Sequence, residues 1–362
     1  MTRSEFYAAI DGCTHFLGGH YPRSVAKRMQ EIADSPYAEH RSDMYGEGGF
    51  VTILENELAE LFGKESAVFM PSGTMAQPIA LRVWADQTKN STVAFHPKCH
   101  LQCHEHMAYQ ELHKLKAILL GEENRLFTLN DLKSIDEQIA TLLIELPQRD
   151  LGGAIPTWDE LQEIIQHAKS KSMKLHLDGA RIWECQPYYN RTYKEITEEF
   201  DSVYASFYKI LGGLPGAVLA GPKDFIAEAR IWMRRHGGNL PYMFPNAIAA
   251  KIGMDRHLPR IPEYVAKARE IADILNDIDG VRVLPNPTQT NMMHLLFEAN
   301  KDALLNASGE IALKTKVLLI QWLNGTPQGQ RTEISIGQAA LDLPADQIRT
   351  LFLDLIQLAN EL

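Results

Sequence analysis

The chain has 362 residues, of which 45% are hydrophobic and 23% are charged, and it carries a formal net charge of −10. This length fits one large domain with a smaller one, and the composition excludes a disordered class. The negative charge argues against nucleic acid as the natural partner, because phosphate backbones are bound by clustered Lys and Arg side chains.

The N-terminal sequence and the cysteines predict a cytoplasmic protein with free thiols and no membrane partner. The first residues have no apolar core of signal-peptide length, and the chain has no apolar run long enough to cross a bilayer. The cysteines Cys13, Cys99, Cys103 and Cys185 are too few and too unevenly spaced for a disulfide framework.

The N-terminal part of the chain predicts an arm, a helix, a glycine-rich loop and a second helix. Residues 1–35 are expected to contain the arm and the first helix, from Pro22 to Ala33. Thr52 and Glu55 have the spacing of a capping box and predict the start of the second helix. Tyr45 precedes it in the loop, where a tyrosine is usually a surface contact, although loops also supply residues to binding sites.

A strand from Ser66 to Met70 is followed by a turn and a helix. Ser72, Gly73 and Thr74 lie where this helix is expected to begin. Two hydroxyls and the unpaired N–H groups at the positive end of the helix dipole form a site suited to phosphate. The alternative is a plain N-cap, because Ser and Thr are favoured at that position anyway.

The densest polar cluster falls between residues 96 and 113 and contains histidines, two cysteines and Glu105. Cys99 with Cys103, and His100 with His104, are four positions apart, so one helical face could hold zinc. Structural zinc sites more often combine ligand pairs from separate parts of a chain. We therefore expect no metal here, and a histidine ring stacked on an aromatic cofactor fits the segment better.

Strands and helices then alternate, which predicts an α/β fold with a mostly parallel sheet covered on both faces. One strand begins at Lys174 and stops at Asp178, with Arg181 three residues later. The next strand, Val203 to Phe207, is followed by Lys209, the only cation in a mostly apolar run. Open α/β sheets bind ligands at such carboxyl ends of strands.

An acid, an arginine and an isolated lysine on neighbouring strand ends are the groups that pyridoxal 5′-phosphate (PLP) chemistry requires. The lysine forms a Schiff base with the cofactor aldehyde, and the carboxylate pairs with the pyridine nitrogen. Each feature alone is weak, because an aspartate at a strand end is often only a turn or cap residue. Their combination predicts PLP as the cofactor.

From about Met254 the sequence predicts an α+β lobe. A long helix from Pro262 to Ile278 leads into the short strands VRVL, MMHLLF and EISIG and a final helix from Pro344 to Leu358. The predicted domains are therefore the arm and helix at 1–35, a large cofactor domain at 36–253 and a small domain at 254–362. Arg331 precedes the last strand and could point into the cleft, although an exposed rim arginine is equally consistent.

Three segments resemble a known family: MYGEGGFVTILENELAELFGKESAVFMPSGTMAQPIAL, LHLDGARI and YKILGG. They are similar to the low-specificity L-threonine aldolases, in the β-eliminating lyase group of fold-type I PLP enzymes. The resemblance runs from about Phe16 to Ala250 and is weaker beyond. It implies a fold-type I architecture and a homotetramer, or dimer of dimers, with sites at subunit interfaces.

Carried over by position, the resemblance implies roles for the residues around the cofactor. The segment Ser72–Thr74 holds the phosphate, His100 stacks on the pyridine ring, and Glu105 is an acidic neighbour. Asp178 pairs with the ring nitrogen, and Lys209 carries the Schiff base.

The resemblance also implies how substrate is bound. Arg181 contacts the ring oxygen and the substrate carboxylate, Arg331 binds that carboxylate as well, and Tyr45 is the loop tyrosine. A base must remove the β-hydroxyl proton, and His100, directly or through a water, is the candidate.

The chain departs from the family pattern at three places. Tyr208 stands where a serine commonly helps to hold the phosphate, and Leu17–His20 replaces an early Arg-Ser-Asp element. Gly237–Tyr242 replaces a GGGMRQ-like segment, so its basic residue is either supplied by Arg230 or Arg235 or is absent. These departures affect the substrate site more than the cofactor site.

The expected activity is cleavage of a β-hydroxy-α-amino acid, L-threonine or L-allo-threonine, to glycine and an aldehyde such as acetaldehyde. The alternative within the same fold is a PLP-dependent β-eliminating lyase or a related amino-acid enzyme, since contacts to the substrate decide which bond breaks. A third interpretation is a non-catalytic metal-binding or scaffold protein that uses the His/Cys segment.

Overall fold

The computed structural model of the protein describes residues 2–361, which form two compact units. One unit spans Ser24–Pro259, and the other combines the described residues up to Arg23 with those from Arg260 onwards. The units therefore change at 23/24 and 259/260, compared with predicted boundaries at 35/36 and 253/254. The first difference arises because the N-terminal segment pairs with a strand near the end of the chain.

The strands are β1 (His15–Phe16), β2 (Ser66–Met70), β3 (Thr92–Phe95), β4 (Lys116–Leu119), β5 (Thr141–Glu145), β6 (Lys174–Gly179), β7 (Ser202–Ser206), β8 (Ala217–Gly221), β9 (Val281–Leu284), β10 (Met292–Phe297), β11 (Val317–Leu318), β12 (Asn324–Thr326) and β13 (Gly329–Ser335). The helices are α1 (Arg3–Asp11), α2 (Val25–Ala33), α3 (Gly49–Leu61), α4 (Gly73–Thr88), α5 (His100–Cys103), α6 (Ala108–Glu111), α7 (Leu129–Lys133), α8 (Trp158–Ser170), α9 (Gln186–Tyr189), α10 (Tyr193–Thr197), α11 (Lys223–Arg235), α12 (Phe244–His257), α13 (Ile261–Asn276), α14 (Lys301–Thr315), α15 (Gln338–Leu341) and α16 (Ala345–Glu361). None of these described helices is both long and apolar enough to span a membrane.

The unit Ser24–Pro259 is built on a mixed, mostly parallel sheet with strand order β2-β8-β7-β6-β5-β3-β4. Only β8 runs antiparallel to its neighbours, β2 and β7. Every residue of β3, β5, β7 and β8 is buried. Because successive side chains of a strand point to opposite faces, these strands are covered on both sides, as the α/β prediction requires.

The register of three adjacent strands places polar side chains in one row. Glu145 of β5 lies opposite Asp178 of β6, and Asp178 lies opposite Tyr204 of β7. These strands are parallel, so all three residues stand near the same, carboxyl-terminal edge of the sheet. This edge therefore carries Asp178, which sequence analysis assigned to a cofactor, together with two polar residues that it did not.

A buried polar network fixes α4 against the same strands. The His176 ring lies 2.6 Å from Gln77 Oε1 and 2.7 Å from Ser202 Oγ, which also accepts a hydrogen bond from Trp84 Nε1 at 2.8 Å. Burial lowers the pKa of His176 to about 3, so the imidazole is neutral and needs no counter-charge. The network links α4 to β6 and β7 two residues before Asp178.

The other unit contains an antiparallel sheet with strand order β12-β13-β10-β9. Its core combines this sheet with α13, α14 and α16, through residues such as Leu275, Leu304 and Phe352. Strand β1 pairs in parallel with β11, which explains why the first residues group with this unit. The predicted α+β character of the C-terminal part is confirmed.

Two predicted helix starts are wrong. Helix α2 begins at Val25 and not at Pro22, because the Ser24 side chain caps it by accepting a hydrogen bond from Lys27 N. Helix α3 begins at Gly49, with Gly48 as its N-cap, so Thr52 and Glu55 lie inside the helix and not at its cap. The buried Glu55 carboxylate accepts hydrogen bonds from Phe69 N at 2.8 Å and Arg230 Nη2 at 2.6 Å. The acid thus joins α3 to β2 and α11, and this tertiary role outweighs the local capping pattern.

Helix α12 packs closely against the turn that follows β7. A Cβ atom added at Gly253 would overlap the carbonyl oxygen of Leu211, and one added at Gly213 would lie 2.9 Å from the carbonyl oxygen of Phe207. Both contacts are with backbone, which cannot rotate away as a side chain can. The two glycines therefore allow the turn that carries Lys209 to pack directly against helix α12 and the end of β7.

We expect Gly253→Ala to destabilise the protein by roughly 1–3 kcal/mol, because the added methyl group overpacks the contact with Leu211. Helix propensity alone predicts the opposite sign, a gain of about 1 kcal/mol. Urea unfolding of the wild type and the variant in the same buffer measures the difference. A variant at least as stable as the wild type would show that the contact is not tight.

Candidate functional site

The Lys209 amine lies just beyond the end of β7, in a turn closed by a hydrogen bond from Gly212 N to the Lys209 carbonyl at 2.9 Å. Its side chain is partly accessible, and Nζ lies 5.9 Å from the centre of the Tyr208 ring. Burial, reinforced by the positive charge of Arg181, lowers the pKa of Lys209 to about 7. A substantial fraction of this amine is therefore neutral, and nucleophilic, near neutral pH.

The Asp178 carboxylate at the end of β6 faces the same site. It is almost fully buried, and Oδ1 accepts a hydrogen bond from Ala180 N at 3.1 Å. Burial raises the pKa of Asp178, while the nearby positive charge of Lys209 opposes this effect. Asp178 lies near the end of β6 and Lys209 follows the end of the neighbouring parallel strand β7, so the acid and the amine lie at the same edge of the sheet.

The half-buried His100 and the buried Glu105 form a pair that interacts electrostatically with these two groups. The Nδ1 atom of His100 lies 2.8 Å from Glu105 Oε1. Burial lowers the pKa of His100 to about 4, and burial raises the pKa of Glu105 to about 7. The charges of Asp178 and Lys209 also act on His100. The neutral imidazole therefore adjoins the acid and the amine, as stacking on a cofactor ring requires.

Sequence analysis missed a second buried carboxylate, Glu145 at the end of β5. It accepts hydrogen bonds from Arg149 N at 3.0 Å, Gln148 Nε2 at 3.0 Å and His100 N at 3.3 Å. Burial and the charge of Asp178 raise its pKa. The signal was available, because Glu145 ends an apolar strand just as Asp178 does.

The metal-ligating groups do not combine as the zinc alternative requires. Cys103 is exposed and donates to the Pro97 carbonyl at 3.5 Å, whereas Cys99 is buried. Within residues 2–361, three side chains that could bind a metal lie together: Cys99, Glu145 and Asp178, whose ligand atoms are within 4.8 Å of one another. Burial raises the pKa of the Cys99 thiol well above its usual range, which disfavours the thiolate that binds metals.

Helix α4 begins at Gly73 and presents its N-terminus beside β7. The Ser72 hydroxyl caps the helix by accepting from Met75 N at 3.3 Å, and Thr74 is exposed. A Cβ atom at Gly73 would overlap the Tyr204 hydroxyl, so only glycine allows this approach to the sheet. The first-turn N–H groups have no acceptor within their own helix, which suits them to bind a phosphate.

Two departures from the family pattern have a structural account. Tyr208 interacts with the Tyr204 hydroxyl, whose contact with Gly73 places both rings near the start of α4. Arg230 is paired with Glu55 of its own chain at 2.6 Å, and Arg235 lies over the Trp232 ring at 4.5 Å.

The three substrate-binding candidates lie in different surroundings. Arg181 is almost fully buried at the end of β6, and its charge lowers the pKa of Lys209. Tyr45 is 53% exposed, with a left-handed backbone and a hydrogen bond from its N–H to the Pro241 carbonyl at 2.9 Å. Arg331 lies within β13 and not before the last strand as predicted, because that strand begins at Gly329; it is partly exposed and lies opposite Leu296 of β10.

These groups fit PLP by their chemistry. Lys209 offers an amine of lowered pKa, Asp178 a buried acid and His100 a neutral flat ring, and the start of α4 offers N–H groups for a phosphate.

Comparison with known proteins agrees with this chemistry. The profile of the β-eliminating lyase family matches residues 24–297. Low-specificity L-threonine aldolase 1 of Arabidopsis thaliana is 28% identical over 275 residues, which are 72% of this chain and 75% of that protein.

Solved structures extend the likeness over nearly the whole chain. A candidate L-allo-threonine aldolase from Listeria monocytogenes is 38% identical with a TM-score of 0.93, covering 98% of this chain and 99% of that one. A chain from Exiguobacterium sp. 255-15, described as a candidate aromatic amino acid β-eliminating lyase/threonine aldolase, gives the same identity, TM-score and coverage. The predicted fold-type I architecture is confirmed. The chain therefore belongs to the β-eliminating lyase family and is a PLP-dependent lyase.

Proposed function

We propose that the enzyme cleaves a β-hydroxy-α-amino acid, L-threonine or L-allo-threonine, to glycine and an aldehyde. The observation that carries this proposal is the placement of the Lys209 amine just beyond the end of β7, beside the buried Asp178 carboxylate near the end of the neighbouring parallel strand β6. The threonine aldolase names of relatives at 28% identity support the substrate class.

In the proposed site, Lys209, Asp178 and His100 hold the cofactor, together with the segment Ser72–Thr74. The bound cofactor supplies an electron sink for the pair left when the Cα–Cβ bond breaks. Asp178 keeps a proton on the ring nitrogen, and His100 excludes water from one face of the ring. Lys209 would hold the cofactor aldehyde through its Nζ atom, and its lowered pKa would leave the released amine largely neutral, ready to bind the cofactor again.

Orientation of the substrate decides which of its bonds breaks. We assign Arg181 to the substrate carboxylate, because a guanidinium matches a carboxylate with two parallel hydrogen bonds. The same role for Arg331 stays a prediction from the family resemblance. Tyr45 is proposed to contact substrate from an exposed loop. These contacts would hold the Cα–Cβ bond perpendicular to the cofactor ring.

The second candidate is β-elimination, which the family description and the name of the Exiguobacterium relative favour. It needs the same cofactor site but a leaving group on Cβ. Altered contacts to the carboxylate would redirect the bond that breaks.

We also propose a cytoplasmic homotetramer, or dimer of dimers, with sites at subunit interfaces. Exposed apolar side chains on two segments, Met44 and Tyr45 with Leu240 and Tyr242, support an interface there. The hydrogen bond from Tyr45 N to the Pro241 carbonyl joins these segments.

Purified holoenzyme should release glycine and acetaldehyde from L-allo-threonine or L-threonine, because the proposed carboxylate contacts select the Cα–Cβ bond. Product analysis by mass spectrometry, with L-serine and a cysteine conjugate as parallel substrates, measures the outcome. Pyruvate from the latter two, without glycine from the former, would support β-elimination instead.

Lys209 should react with an amine-acylating reagent in the apoenzyme with a midpoint near pH 7, because only the neutral amine is nucleophilic and its pKa is lowered. Peptide mass spectrometry across a pH series gives the midpoint. Lys64, whose pKa burial lowers to about 8, provides an internal comparison in the same digest. A Lys209 midpoint near pH 10 would contradict the described site.

Asp178→Asn should lower kcat on the order of 10²–10³-fold, because the amide cannot hold the proton on the cofactor ring. Cofactor absorbance measured beside turnover separates this effect from lost binding. Unchanged turnover with full cofactor occupancy would remove Asp178 from the proposed role.

A further inference from the structure

A second histidine lies beside His100 and has no part in the mechanism above. The rings of His100 and His104 have centroids 5.1 Å apart. The Nε2 atom of His104 lies 2.7 Å from Asp150 Oδ2, and Arg149 Nη1 lies 3.8 Å from Asp150 Oδ1. The cluster thus combines residues that follow α5 and β5.

The contacts fix which nitrogen of His104 carries a proton. Asp150 is an acceptor when ionised, so His104 Nε2–H donates to it. Arg149 Nη1, 3.2 Å from the same nitrogen, is also a donor and cannot bond to it at the same time. In the described part of the chain, no hydrogen bond reaches His104 Nδ1. That atom presents a lone pair, on a side chain that is 37% exposed.

His100 is poorly suited to take a proton from substrate. Its Nδ1 is engaged with the carboxyl group of Glu105, and burial lowers its pKa to about 4. A base of that strength seldom holds a proton at neutral pH. The ring can stack on a cofactor, but proton transfer needs another group nearby.

We propose that His104, held in one tautomer by Asp150, accepts the β-hydroxyl proton of the substrate, so that Asp150 is a positioning residue. This inference rests on the proposed function. The inference adds two points to the proposed function: it names the base, and it places the hydroxyl group of the substrate beside His104.

The step balances as follows. The O–H bond breaks and its proton passes to His104 Nδ1, while the electron pair of that bond becomes the second carbon–oxygen bond of the aldehyde. The Cα–Cβ electron pair remains with Cα, which later takes up a proton to give glycine. His104 returns its proton to solvent, and no oxidant or reductant takes part.

The surrounding charges favour this role. Asp150 stabilises the imidazolium that forms on His104. The positive charge of Arg149 also pairs with Asp150 and partly offsets this stabilisation, so that His104 can release the proton again. The His104 ring also lies 5.1 Å from the His100 ring and interacts electrostatically with the buried Glu105, while Lys98 interacts electrostatically with Asp150.

The test compares His104→Asn with wild-type holoenzyme in two reactions. Cleavage of L-allo-threonine should fall on the order of 10²–10⁴-fold in kcat/KM, the usual contribution of a general base. Exchange of the glycine α-proton in D₂O, which involves no hydroxyl, should stay within about twofold by NMR. Visible absorbance should show equal cofactor binding.

His106→Asn is the matched control, because His106 is an exposed histidine two residues away with a left-handed backbone that Asn tolerates. It should leave both reactions unchanged. Asp150→Asn should reduce cleavage without altering glycine exchange. Nitrogen-15 NMR of the Asp150→Asn holoenzyme should then show His104 change from the Nε2–H tautomer to a mixture.

Three outcomes would overturn the inference. Full cleavage activity in His104→Asn would do so, as would an equal loss of cleavage and glycine exchange, which indicates a structural role. A His104 tautomer unaffected by Asp150→Asn would remove the positioning role. Wild-type enzyme that exchanges glycine protons but cleaves no β-hydroxy amino acid would instead refute the proposed function, and the inference with it.

Discussion

The electrostatic interaction between Lys209 and Asp178 is the constraint on which the site depends. Burial penalises the charge of each group, and each partly relieves the penalty on the other. In this chain, adjacent parallel strands that end at one edge of the sheet bring these groups together out of water. The parallel arrangement of β5, β6 and β7 therefore serves the site as well as the fold.

Groups around this pair are held by backbone contacts and by buried neutral polar side chains. The network through His176 joins α4 to β6 and β7 without adding charge. Close contacts at Gly73 and Gly253 set the positions of the helix N-terminus and of the lysine turn. Because these supporting groups are neutral, the electrostatic field in the site arises mainly from the few ionisable groups that are proposed to perform the chemistry.

Local sequence patterns predicted secondary-structure elements correctly where the residues of the segment itself determine the structure. The bounds of β2, β9 and β10 match the predicted strands, since apolar runs end at clear turns. Local patterns failed where tertiary contacts determine the structure. The Glu55 carboxylate accepts hydrogen bonds from β2 and α11 instead of capping its own helix. Strand β1 pairs with β11, some 300 residues later in the chain. The cluster of His104 with Asp150 was unpredictable for the same reason, because nothing local relates the two residues.

The contact between Gly73 and Tyr204 has an evolutionary consequence. The tyrosine hydroxyl occupies the volume that any side chain at position 73 would need, although 131 residues separate the two in the chain. A larger residue can replace Gly73 only if the side chain at position 204 becomes smaller in the same lineage, or if helix α4 moves away from the sheet. The two positions should therefore vary as a pair among relatives, with intermediates carrying only one change selected against.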